Sequence, residues 1–111
     1  MTTAVRIIWT DHAIDDVTAI REYLLENESP LFVERVTAQI LDEVASLSTW
    51  PSKGVFIPEL EDLQLVNYRQ LLAGQHRIII ERDPRDICYI HIVAHTTRDL
   101  GALIRRRLGV A

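Results

Sequence analysis

The run Ile78-Ile79-Ile80, set between two turn signals, constrains this chain more than any other feature. Successive β-branched residues suit a pleated strand better than a helix, where their side chains crowd the preceding turn. Upstream, Ala73-Gly74-Gln75 is a short Gly-containing connection of the hairpin kind. Downstream, Asp83-Pro84-Arg85-Asp86 places proline where it presets a turn, and Ile87–His95 follows as an apolar and aromatic stretch. Residues 66–72, 76–82 and 87–95 therefore read as three strands of an antiparallel meander. Strand alternation assigns Cys88, Ile90, Ile92 and Ala94 to one face, the core, and Ile87, Tyr89, His91, Val93 and His95 to the other.

The rest of the chain must cover that sheet. Residues 4–9, AVRIIW, form a short strand candidate. Thr10 then offers an N-cap hydroxyl, and Asp11, Asp15 and Asp16 lie where a helix dipole favours negative charge. Ile14, Val17, Ile20 or Arg21, and Leu24 follow at helical spacing, which predicts a helix over 11–26. Ser29-Pro30 is a second start signal, and Val33, Val36, Ile40, Val44 and Leu47 extend a second stripe to about residue 49. A connection this short between two helices makes an antiparallel αα-hairpin, and Trp50-Pro51 ends it. Residues 51–65 contain Gly54 and two prolines and read as irregular. A last helix is expected over 98–108, with Leu100, Leu103, Ile104 and Leu108 on one side; so short a helix is marginal alone and must dock. The expected class is α+β, in the order β-α-α-β-β-β-α, with the hairpin on one face of a small, mainly antiparallel sheet.

At 111 residues the chain fits one domain. It has no apolar run of the ~18 residues that a membrane span requires, and its start lacks a signal-peptide pattern, so a cytoplasmic location and no membrane partner are expected. Cys88 is the only cysteine, which excludes an internal disulfide and a cysteine-based zinc cluster. The net charge of −4 conceals an asymmetry. Residues 1–65 hold four Lys/Arg against twelve Asp/Glu, whereas residues 66–111 hold eight Arg against four Asp/Glu. The meander half either presents a cationic surface to an anionic partner or is neutralised by the acidic half across their packing.

Two segments carry a family resemblance. Tyr68-Arg69-Gln70-Leu71-Leu72-Ala73-Gly74-Gln75-His76-Arg77-Ile78-Ile79-Ile80-Glu81 and Ile90-His91-Ile92-Val93-Ala94-His95-Thr96-Thr97-Arg98-Asp99-Leu100 resemble the signature of the RelE/ParE toxins of bacterial type II toxin–antitoxin modules. Length and element order are similar as well, so the resemblance covers nearly the whole chain. It implies a growth-arresting toxin of a plasmid-stabilisation type of module. The implied partner is a cognate antitoxin in a toxin–antitoxin hetero-oligomer, whose C-terminal segment wraps the toxin. The basic meander half predicts acidic residues among the apolar anchors of that segment.

The resemblance implies one of two mechanisms. RelE-like members cut mRNA on the ribosome, without a metal or other cofactor. ParE-like members inhibit DNA gyrase and are not enzymes. For a nuclease, the matching positions are Arg69 and Arg77, to stabilise phosphate charge, Glu59 as general base and His95 as general acid. Each has a plainer reading: His95 as a strand-end histidine, Arg77 as half of an ion pair with Glu81 or Glu59. Thr96-Thr97 stands where the ribonucleases often carry a further basic residue, and no Tyr or His follows His95. An acidic chain is also repelled by RNA outside its basic patch. A metal site on the Tyr89, His91 and His95 row is not expected, and no cofactor is implied. The chain is therefore closer to ParE, with Arg98, Arg105, Arg106 and Arg107 as target-binding candidates; an inactivated family member is a further alternative. On this reading, truncation after Asp99 or charge reversal at Arg105, Arg106 and Arg107 reduces toxicity.

Overall fold

A computed structural model describes residues 5–63 and 67–109. The elements run β1 (Arg6–Trp9), α1 (Asp11–Asn27), α2 (Pro30–Ala45), β2 (Tyr68–Ala73), β3 (His76–Asp83), β4 (Ile87–His95) and α3 (Leu100–Leu108). This is the α+β order read from the sequence. The start signals act as expected: Thr10 Oγ1 accepts the Ala13 N–H at 3.2 Å, and Ser29 Oγ accepts that of Phe32 at 3.2 Å. The third helix begins at Leu100, two residues later than the expected start, because Asp99 is its N-cap and accepts the Ala102 N–H at 3.0 Å. Helix α2 stops at Ala45 and tightens into a 3₁₀ turn, Ser46–Ser48, where Ser46 Oγ donates to the Glu43 carbonyl. The predicted start of the first meander strand, Val66, lies outside the described residues.

The sheet order is β1-β4-β3-β2, with β1 parallel to β4 and the other pairs antiparallel. Helices α1 and α2 pack on one face, where Val36, Ile40 and Val44 meet Leu71, Ile78, Ile80, Cys88, Ile90 and Val93. In α1 the covering stripe is Ala13, Val17, Ile20 and Leu24; Ile14, expected in it, is 48% exposed. The stretch expected to be irregular is partly ordered. Val55 bridges Gln70, and Pro58–Leu63 is a 3₁₀ turn that brings Ile57 and Leu60 under the second face. There they join Ile79, Ile92, Ala94, Leu100, Leu103 and Ile104.

Both faces of the sheet are thus covered, and the expected division of β4 into a core face and an outer face fails. Ile79 pairs with Ile92 and Ile80 with Ile90, which leaves His91 as the extra residue of a β-bulge. Beyond the bulge the alternation is inverted. Cys88, Ile90 and Val93 face the helical hairpin, whereas Ile92 and Ala94 face α3. Val93, assigned from the sequence to the outer face, is 2% exposed.

Candidate functional site

Strand β1 accompanies β4 only from Ile87 to Ile90, so the rest of that edge needs other partners for its backbone. Asp16 of α1 supplies one: its Oδ2 accepts the Val93 N–H at 3.0 Å. Arg107 reaches round from α3 and donates to both Asp16 oxygens, at 2.6 and 3.1 Å, and to the His91 carbonyl at 3.4 Å. Side-chain exposure is 18% for Arg107 and 12% for Asp16. The pair clips the two layers together across the sheet edge. Arg107 therefore does not stand with Arg105 and Arg106, which are exposed on the outer side of α3. Arg98 is also exposed, before the helix. Among the described residues, none of these three has a carboxylate within salt-bridge distance.

The four nuclease candidates are not brought together. Arg77 and Glu59 meet in a two-pronged ion pair with both N–O distances 2.8 Å, and Arg77 Nε donates to Gln70 Oε1 at 2.7 Å. The Arg77 hydrogen bond holds the Glu59 carboxyl below its ordinary range, which makes it a poor proton acceptor at neutral pH. This contact is the ion pair named as the plainer reading of Arg77, and it fastens the 3₁₀ turn to β3. Arg69 lies on the opposite face: it pairs with Ile80 on the hairpin side, whereas Arg77 pairs with Ala94 on the α3 side. Among the described residues, the only polar contact of its side chain is a 3.5 Å approach to the Gly54 carbonyl. His95 is exposed at the end of β4, and its Nδ1 takes the Thr97 N–H at 3.2 Å and lies 2.8 Å from Thr97 Oγ1. The nitrogen that accepts the backbone N–H carries no proton, so Nε2 holds the hydrogen of the neutral ring.

The expected Tyr-His-His row is also divided. His91 lies on the α3 side, 2.8 Å from Glu81 and between the rings of Tyr68 and Tyr89. His95 lies beyond the bulge beside His76, its cross-strand partner. Among the described residues no three His, Cys, Asp or Glu side chains cluster as a metal site, and no helix is long and apolar enough to cross a membrane. Sequence reasoning gave Asp16 only a helix-dipole role and assigned none to His76. The signal for Asp16 was its place in a helix beside a strand too short to cover its neighbour.

A meander flanked by a short parallel strand, an αα-hairpin on one face and a short C-terminal helix on the other defines the class as a small toxin of the RelE/ParE superfamily. Within it, the chain belongs to the ParE toxin family: the family model described as "ParE toxin of type II toxin-antitoxin system, parDE" matches residues 7–100. It is a ParE-type toxin of a type II toxin–antitoxin system. No curated protein matches the chain. Among solved structures, a chain of the chromosomal ParDE system from P. aeruginosa superposes with a TM-score of 0.67 at 16% identity, covering 83% of this chain and 96% of that one. The RelBE2 toxin–antitoxin complex from Mycobacterium tuberculosis gives 0.56 at 17% identity, with 84% and 99% covered. A free-state variant of the E. coli toxin RelE gives 0.61 at 8% identity, with 94% and 98% covered.

Proposed function

We propose that this toxin arrests growth as a non-enzymatic inhibitor of DNA gyrase and is neutralised by a cognate antitoxin. One observation carries the reading: Arg69 and Arg77 stand on opposite sheet faces, and Arg77 is engaged by Glu59. A phosphodiester cannot meet both arginines at one reacting centre, and the carboxylate assigned as base is held by the cation assigned to the phosphate. Arg98, Arg105 and Arg106 remain presented to a large anionic target such as gyrase with its DNA. The fold likeness to RelE keeps ribosome-dependent mRNA cleavage as the second reading.

The purified protein separates the two. Wild type and His95→Ala are expected to inhibit gyrase supercoiling equally, and R105E/R106E to need about tenfold more protein, as for loss of charge complementarity at an interface. Translating ribosomes are expected to keep their mRNA intact. Cleaved mRNA with the wild type and none with His95→Ala would overturn the proposal.

A further inference from the structure

Between α1, α2 and the far end of the sheet runs an open groove of about 840 Å³. Ile20, Leu24, Phe32, Val36 and Val93 form its apolar wall. Its polar end is built by His76 of β3 and His95 of β4, directly paired across the strands, with rings edge to face at 5.4 Å. Arg35 and Arg98 line the same groove. His76 is the one polar side chain in the buried set, 6% exposed, and among the described residues its ring makes no hydrogen bond. Its ring nitrogens are not sealed from solvent: they open into the groove, where a bound group can replace water as their partner.

We propose that the polar end of this groove is a carboxylate subsite, formed by His76, His95 and Arg98, for an acidic side chain of an amphipathic partner segment whose apolar residues lie along the wall. The charges facing the groove fit that occupant. From α1 come Asp16, already bound by Arg107, Glu28 and the phenol of Tyr23; from α2 comes Arg35; the strand ends and the following turn supply two imidazoles and Arg98. Glu28 is the one carboxylate there that is not held by an arginine, against two arginines and two histidines. The proposal rests on the reading of the chain as a toxin held by a partner.

Proton linkage follows. Burial, and then the neighbouring His95, hold the His76 pKa below its ordinary value in the free protein. A carboxylate seated against the ring favours its charged form and raises that pKa. Binding therefore takes up a proton, and affinity rises as pH falls through the histidine range.

The test uses the full chain and a labelled helical peptide with leucines at three-to-four spacing and one glutamate bordering the stripe, with glutamine and lysine counterparts. The glutamate peptide is expected to bind about threefold tighter at pH 6 than at pH 8, a one-unit rise in pKa giving its full factor of ten only below both pKa values. The glutamine peptide should lack that dependence, the lysine peptide should bind most weakly, and H76Q or Arg98→Gln should flatten the pH profile. In the wild type, the His76 ring resonance followed by NMR should titrate at higher pH with the glutamate peptide present, which decides the matter even if H76Q fails to fold. No binding, equal binding of the glutamate and glutamine peptides at both pH values, or an unmoved His76 titration would overturn the subsite. Supercoiling inhibition involves none of these peptides, so loss of the subsite and loss of the gyrase reading are separate results.

Discussion

Arg107 shows how far three identical neighbours can differ. Arg105 and Arg106 are exposed, while Arg107 turns inward to complete the Asp16 clip. Removing one member of a largely buried pair leaves the other charge uncompensated, which costs about 3 kcal/mol. Here it also frees the carboxylate that occupies the Val93 N–H. Arg107→Ala is therefore expected to lower the unfolding free energy by about that much in a urea titration. Arg105→Ala should stay within about 0.5 kcal/mol, as exposed substitutions do. Equal midpoints for the two variants would refute the clip. It follows that a toxicity test by charge reversal belongs at Arg105 and Arg106 and not at all three positions, because loss of the clip would resemble loss of target binding.

At the scale of elements, α3 is part of the second core and not an appendage. Leu100, Leu103 and Ile104 are each at most 2% exposed, and they cover Ile79, Ile92 and Ala94. Fully burying side chains of this size stabilises by about 1.5–3 kcal/mol each, so the helix contributes on the order of the whole stability of a small domain. Truncation after Asp99 is therefore expected to abolish cooperative thermal unfolding and expose apolar surface to a hydrophobic dye. A truncated chain that melted cooperatively would show that the second face needs no cover. Reduced toxicity after such a truncation reports loss of fold before it reports loss of a contact. The β-bulge is the other element-scale device. Counted back from the turn, Asp83 opposite Ile87 leads to His76 opposite Ala94, but the extra residue at His91 moves His95 into that place. The two imidazoles meet because of one unpaired residue.

At the scale of the molecule, the sheet is the common wall of two cores. Ile40 lies in the first and Ile92 in the second, and both are fully buried. Aspartate at either position buries a charge without a partner, a cost of several kcal/mol that exceeds the margin of a chain this size. Ile40→Asp and Ile92→Asp are each expected to lose near-UV dichroism and the thermal transition. Loss from only one would mean that the two faces fold independently. Among the described residues, two ion pairs join the halves, Arg77 with Glu59 and Arg107 with Asp16, and they cancel part of the charge asymmetry inside the fold. The cationic remainder is carried by Arg69 on the hairpin side and by Arg98, Arg105 and Arg106, at the end of β4 and along α3.

The sequence by itself determined the elements, their order and the family, because these rest on local chemistry. Thr10 and Ser29 cap helices whatever lies beyond them, Gly74 turns the chain at a positive φ of 60°, and three isoleucines in a row favour a strand. It also supplied every residue of the candidate sites as a type. Only the tertiary structure decided which of them meet. Docking of α3 turned an expected outer face into a second core, and a single bulge reversed the sides of Val93 and Ile92. The same packing put Arg69 and Arg77 on opposite faces and spent Arg107 on a sheet edge that β1 is too short to cover. Such outcomes depend on contacts between residues far apart in the chain, where one residue of register changes every neighbour, and no local pattern records them.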